Sequence, residues 1–321
     1  MIKEMKGTPM LEITHPDRRK ATTMPELKID GTALTGVSET TLWTLYCRAT
    51  EARGAQPLIE DPLAVEIMDR IDYDFGVFEA AGPPRSIRQV FLPTPQYFAV
   101  RALAFDRVIR DFLRKHPNGT VIALAEGLQT TFWRINSPTV RWISLDLPPV
   151  IALREKLLPA SSQITNLAAS ALDQSWHQIL DSGLPTLITA EGLLMYLHRD
   201  QVHALIGDCA RRTTVGGLLF DCIPPRSTSP DGWQLTPRYR TPPMTFGLTS
   251  GQARALPRQI PGLDAATTIP YPTGRGVRGK VQALLPQYPL LSHLSASVTL
   301  VEFGQTAAPR TDGTVSSWCT E

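Results

Sequence analysis

Between Thr120 and Pro148 the chain reads TVIALAEGLQTTFWRINSPTVRWISLDLP. The apolar run Val121 to Leu124 predicts a short buried strand, and Ala125-Glu126-Gly127 a turn. A helix-compatible segment follows, and a second apolar run, Arg141 to Leu145, ends on Asp146. Strand, glycine turn, helix, strand and terminal acid in this order make the nucleotide-binding half of an open α/β sheet. The glycine lets backbone approach a ligand, and the acid is placed to accept hydrogen bonds from a ribose diol. The other segments then have to support this half-site or cover it.

Taken in order, residues 1–35 are polar and interrupted by Pro9, Pro16 and Pro25, which predicts a loose arm. Ser38-Glu39-Thr40-Thr41 predicts a helix start, with Leu42, Leu45 and Ala49 along the helix. Asp61-Pro62 predicts another, with Asp as N-cap and Pro at the first helical position. Residues 73–95 read as a loop or broken helix. Gln96 to Leu113 carries a broad apolar stripe of helical period, and Pro117-Asn118-Gly119 turns it into the Val121 strand. Further strands are expected at Ile164 to Ala171, Leu184 to Ala190, Leu218 to Cys222 and Ser297 to Phe303. Short helices are expected at Val150 to Leu158, Trp176 to Leu180, His203 to Arg211 and Gly279 to Leu285, with Gly216-Gly217 as a break before the Leu218 strand.

Residues 223–275 hold many prolines with Trp233, Tyr239 and Phe246 between them, which predicts an irregular lid over a binding site. The organisation expected is an arm (1–35), one domain (36–304) with a helical cover (36–115) and the lid, and a polar tail (305–321). Strands separated by single helical crossovers give an α/β fold: a mostly parallel sheet with helices on both faces. Ligands bind such sheets beyond the carboxyl ends of the strands. Glu126-Gly127, Asp146, Ala171-Leu172 and Glu191-Gly192 all fall there.

The 321 residues suffice to bury a large core, and 42% hydrophobic with 19% charged residues lies in the globular range. The formal charge of +2 is dispersed, with no basic block to serve as a nucleic-acid footprint. The first residues lack the apolar core of a secretory signal, and no apolar run approaches the ~20 residues of a membrane span. Cys47, Cys209, Cys222 and Cys319 are widely spaced without a CxxC pair, which speaks against structural zinc and for free thiols in a reducing cytoplasm. His198 and His203 are wrongly spaced to ligate one metal from one helix face.

Six ordered stretches carry a resemblance: SETTLWTLYCR (38–48), YFAVRALAFD (97–106), VIALAEGLQTTFWR (121–134), WISLDLPPVIALREKLLP (142–159), SALDQSW (170–176) and ITAEGLLMYL (188–197). On these the sequence resembles the leucine carboxyl methyltransferase family, from about Val37 to Phe303. The family includes protein-phosphatase methylases and polyketide-pathway O-methyltransferases. The resemblance implies a Rossmann-like class I methyltransferase fold that binds S-adenosylmethionine and methylates an oxygen of a small-molecule acceptor. It further implies that Arg101 pairs with the methionine carboxylate, with Arg48 near the same end. Ala125, Glu126 and Gly127 would form the turn under the cofactor, Asp146 would hold the ribose, Ala171 and Leu172 would flank the adenine, and Glu191 would sit by the methionine amino group.

The chain departs from the family's usual G-x-G-L-D-T-R. Ala125 replaces the first glycine, which a tight turn tolerates only at negative φ, while Gln129 and Thr131 remove an acid and a base of an ion pair. Tyr97, Tyr196, His198, Trp233, Tyr239 and Phe246 are expected within reach of an acceptor. No His–Asp dyad stands out, which favours a carboxylate acceptor, already ionised at neutral pH, over a phenol or alcohol that needs a base. A dinucleotide-dependent oxidoreductase shares the strand–glycine–helix–acid layout, although the full G-x-G-x-x-G is absent. A non-catalytic binding protein on the same scaffold is the other alternative.

Overall fold

Every residue from Thr120 to Leu124 is buried, so this strand is covered on both faces, as the centre of a helix-flanked sheet requires. In the computed structural model, which describes residues 28–79, 93–285, 288 and 291–304, seven strands share that sheet. They are β1 (Thr120–Leu124), β2 (Arg141–Asp146), β3 (Ile164–Ala168), β4 (Thr186–Ala190), β5 (Gly216–Cys222), β6 (Leu263–Ile269) and β7 (Ser297–Phe303). Their spatial order is β6-β7-β5-β4-β1-β2-β3. Strands β1 to β5 pair in parallel, and β7 runs antiparallel between β5 and β6. The order reverses beside β1, between β4 and β2, which is the switch point where such sheets open a crevice.

Three longer helices precede the sheet: α1 (Thr40–Ala52), α2 (Pro62–Arg70) and α3 (Pro95–Lys115). Five follow β1 in the chain: α4 (Thr131–Ile135), α5 (Pro148–Leu157), α6 (Arg199–Arg212), α7 (Ser250–Arg254) and α8 (Gly276–Leu284). Alternation along the strands feeds two cores. Ile122, Leu124, Ile143 and Ile188 pack with α6, and Val121, Ala123, Trp142 and Leu187 pack with the α3 stripe of Phe105, Val108 and Phe112. A third core, around Leu42, Leu45, Ile67 and Val150, binds α1 and α2 to α5. Cys47, Cys209 and Cys222 are buried free thiols.

The structure corrects several sequence expectations. Helix α1 starts within the expected Ser38–Thr41 stretch, with Glu39 at the N-cap, but no side chain caps it. The third strand stops at Ala168. Gly216 and Gly217 lie inside β5 rather than before it. A Cβ on Gly216 would stand 2.1 Å from the Thr186 carbonyl, and one on Gly217 2.8 Å from that of Val301, so close strand packing selects glycine there. Residues 223–275 are not irregular throughout, because Leu263–Ile269 forms the edge strand β6. Its sequence, LDAATTI, keeps only its end residues fully buried, so it lacks the apolar run that marks a central strand. The arm up to residue 27, residues 80–92 of the expected loop, and the tail from 305 lie outside the described residues. Among the described residues no helix is long and apolar enough to cross a membrane, and no group of three or more His, Cys, Asp or Glu is placed to hold a metal.

Candidate active site

Beyond the carboxyl ends of β1, β4 and β5 lies a cavity of about 470 Å³, within the size range of small-molecule sites. The turn after β1 forms part of its wall. Gly127 has φ +58, and Ala125 has φ +50 rather than the negative value expected from its side chain. A left-handed alanine costs roughly 1–2 kcal/mol, so the surrounding contacts have to hold it. They are strong. The Gly127 amide donates to Asp146 Oδ2 at 2.7 Å, and the Arg154 guanidinium donates to the Gly127 carbonyl.

Glu126 anchors the same turn from within. Its carboxylate accepts from Trp142 Nε1 at 3.1 Å and from the Ser144 hydroxyl, and it pairs with Arg154 Nη2 at 2.8 Å. Burial pushes the Glu126 carboxyl above its ordinary range, against the pull of Arg154. Asp146 uses its second oxygen for the Leu147 amide, at 2.7 Å. Each carboxylate oxygen keeps a further lone pair, so Asp146 can hold the turn and still accept from a diol.

Arg101, on α3, is buried. Its Nε donates to Glu191 Oε1 and its Nη1 to Asp221 Oδ2, both at 3.0 Å, while its Cζ lies 5.0 Å from the Phe98 ring centroid. Glu191 and Gly192 follow β4 and line the cavity with Arg101. Burial pushes the Glu191 carboxyl up, and Arg101 opposes the shift. A guanidinium and a carboxylate are the groups a zwitterionic amino-acid end requires.

Arg48 does not line the cavity. Its guanidinium pairs with Asp61 at 3.3 Å and donates to the Leu128 carbonyl at 2.7 Å. Asp61 also takes Arg134 at 3.0 Å and the Thr130 hydroxyl at 2.7 Å, and Arg134 continues to Asp106 at 2.9 Å. This buried network fastens the cover helices to the segment after the glycine turn. Arg134 supplies there a cation that the expected motif places earlier, at position 131.

Tyr97, Tyr196 and Trp233 line the cavity together with Trp43, Met195 and Met244. Burial raises both the Tyr97 and the Tyr196 phenol to about 12, so neither is a base near neutral pH. The other expected acceptor residues lie elsewhere. Phe246 is buried among Leu194, Cys222 and Leu248. Tyr239 packs edge-on against Phe78 at 4.7 Å. His198 is exposed at the start of α6, where its amide donates to Gln201. Ala171 is buried beside Trp176, whose indole donates to its carbonyl, and Leu172 is exposed; both stand outside the cavity lining.

Sequence reasoning missed Asp221 and the scale of the Asp61 network. Asp221 had a signal: one acid inside the apolar run LLFDC is buried at a cost unless it is paired. Asp61 was legible as a cap, and it does accept the Ala64 amide. Its ion pairs join residues up to 73 positions apart, which local pattern does not reveal.

The chain is 34% identical over 236 residues to the tetracenomycin polyketide synthesis O-methyltransferase TcmP of Streptomyces glaucescens, covering 72% of this chain and 81% of that protein. It is 30% identical to the S-adenosyl-L-methionine-dependent methyltransferase dpfgK of Gibberella zeae, covering 54% of this chain and 60% of that one. Among solved structures it is similar to the N-methyltransferase NodS of Bradyrhizobium japonicum WM9, with 12% identity, a TM-score of 0.40, and coverage of 64% of this chain and 97% of that one. The sequence model of leucine carboxyl methyltransferase matches residues 41–210, which span the cover helices, the turn after β1, Asp146 and Glu191. By that match and by the 34% identity with TcmP, the chain belongs to the leucine carboxyl methyltransferase family.

Proposed function

We propose that this methyltransferase transfers the methyl group of S-adenosyl-L-methionine to an oxygen of an apolar, ring-bearing small molecule of polyketide type, and that the oxygen belongs to a carboxylate. The cofactor supplies a methyl group on a sulfonium; the acceptor oxygen forms the new bond to that carbon while the carbon–sulfur electron pair stays on sulfur, leaving S-adenosyl-L-homocysteine. The donor set fits the cofactor. Asp146 is suited to the ribose, the Ala125–Gly127 backbone to close approach, and Arg101 with Glu191 to the charged amino-acid end.

One observation carries the choice of acceptor. The cavity joins this ionic group to aromatic and methionine side chains, yet its carboxylates are engaged: Glu126 with Arg154, Glu191 with Arg101. Among the described lining residues there is no histidine. Such a site suits an acceptor that brings its own charge and needs orientation and desolvation rather than a base. A carboxylate becomes an ester with no proton to move. The relative TcmP, a polyketide synthesis O-methyltransferase, supports the substrate class.

The test is methyl transfer from labelled S-adenosyl-L-methionine to a panel of fused-ring aromatic acids, each beside its primary amide and its phenolic analogue. The expected product is an alkali-labile methyl ester formed only from the acids. Alkali-stable methyl ethers from the phenols would contradict the carboxylate reading.

A further inference from the structure

We infer that Asp221 is a positioning residue for the cofactor's amino-acid end: it holds Arg101 and the turn after β4 in one fixed geometry. The inference rests on the S-adenosyl-L-methionine reading above. Asp221 is fully buried near the end of β5, where sheet pairing with β7 sets its backbone opposite Val298. Its two oxygens serve two different cavity-lining groups. Oδ2 accepts from Arg101 Nη1 at 3.0 Å, and Oδ1 accepts from the Gly192 amide at 2.6 Å. Asp221 itself is not part of the cavity lining.

The arrangement explains why a carboxylate sits inside an otherwise apolar strand. Arg101 comes from α3 and Gly192 from the turn after β4, so the two groups lie on separate elements. A single carboxylate bonded to both removes the freedom of each relative to the sheet. Glu191, next to Gly192, engages Arg101 Nε at 3.0 Å from the other side. The guanidinium is therefore clamped between two acids, and the Gly192 backbone, at φ +74, is pinned beneath it. A Cβ on Gly192 would stand 3.5 Å from Arg101 Nη2, so these two groups face each other closely. Two carboxylates against one guanidinium leave a negative charge in excess, which complements the positive charge of the cofactor. Positioned groups of this kind act by being fixed before the ligand arrives.

Asparagine at position 221 keeps the shape but has one acceptor oxygen, so it satisfies Arg101 or the Gly192 amide, not both. Calorimetry with two probes separates positioning from general damage. S-adenosyl-L-homocysteine carries the amino-acid end, and 5′-methylthioadenosine lacks it while keeping the adenosine and the thioether. For Asp221→Asn we expect the Kd of S-adenosyl-L-homocysteine to rise by about tenfold or more, with that of methylthioadenosine within about twofold of wild type.

Equal weakening of both probes, or no change in either, would overturn the inference. Should Asp221→Asn fail to fold, Arg101→Lys gives a second reading, since a lysine is a point charge and lacks the rigid fork that bridges two carboxylates. A ratio of the two affinities unchanged from wild type in that variant would equally overturn it. Failure of the wild type to bind either probe would instead remove the S-adenosyl-L-methionine reading, and the inference with it.

Discussion

Asp146 Oδ2 accepts the Gly127 amide at 2.7 Å, so the acid at the end of one strand holds the glycine turn at the end of its neighbour. The two features that define a nucleotide half-site are thus one hydrogen-bonded unit, and each can be tested through the other. Gly127 sits at φ +58, and a Cβ there would lie 2.9 Å from Thr41 Oγ1 on the cover helix. Gly127→Ala is expected to lower stability by about 1–3 kcal/mol through strain and crowding, measured by urea denaturation. Adding Thr41→Ala restores part of that loss; a double variant no more stable than Gly127→Ala would show that the contact is not the cause.

Ala125 is held at φ +50 by the contacts around it. Glycine removes the left-handed penalty but adds freedom to the unfolded chain. Ala125→Gly is expected to be neutral to stabilising by up to about 1 kcal/mol, seen as an equal or higher Tm. A clear fall in Tm would mean that the alanine methyl contributes packing which outweighs the strain.

The Asp61 network predicts a defined acid sensitivity. Burial pushes the Asp61 carboxyl up, but Arg48 and Arg134 outweigh it and hold the group below its ordinary 3.8. Because the folded value is depressed, the stabilisation is complete above 3.8 and is lost as pH falls through the folded value. Asp61→Asn leaves two buried guanidinium groups without this partner and is expected to cost about 3 kcal/mol or more at pH 7. The gap between wild type and variant, followed by urea denaturation, should narrow below pH 4. A gap independent of pH would contradict the ionic account.

Glu191 has the opposite sign. Burial raises its carboxyl above the ordinary 4.5, with Arg101 opposing. Its favourable contribution to folding is therefore present below 4.5 and lost as pH rises through the folded value. Glu191→Gln should be as stable as wild type or more so at pH 7.5, while binding S-adenosyl-L-homocysteine about tenfold or more weakly. Thermal denaturation and calorimetry on the same preparations check both halves. Lower stability with unchanged affinity would assign Glu191 to the scaffold alone.

What the sequence made legible follows from how local each signal is. Val121 to Leu124, Gly127 and Asp146 carry their signals in adjacent residues, and the α3 stripe repeats with the helical period, so the sequence places these elements close to where they lie. Strand β6 escaped because an edge strand such as LDAATTI has only its two end residues fully buried. Its place in a family stretch points Arg48 toward the cofactor, whereas its partner Asp61 lies 13 residues on and meets it only through the packing of α1 against α2. The prolines around Tyr239 and Phe246 mark them as lid aromatics, but burial against Phe78 and the main core decides their places. Asp221 acts through Arg101, 120 residues away, and no spacing rule connects them.

Titration of S-adenosyl-L-homocysteine into the wild-type chain and into Asp146→Ala tests most directly whether the cofactor sits against the turn after β1 and the acid that ends β2. Loss of a charged acceptor and of the Gly127 tether is expected to raise Kd by about 10- to 100-fold, with the variant still folded by circular dichroism. Equal affinity in the two proteins would contradict the account.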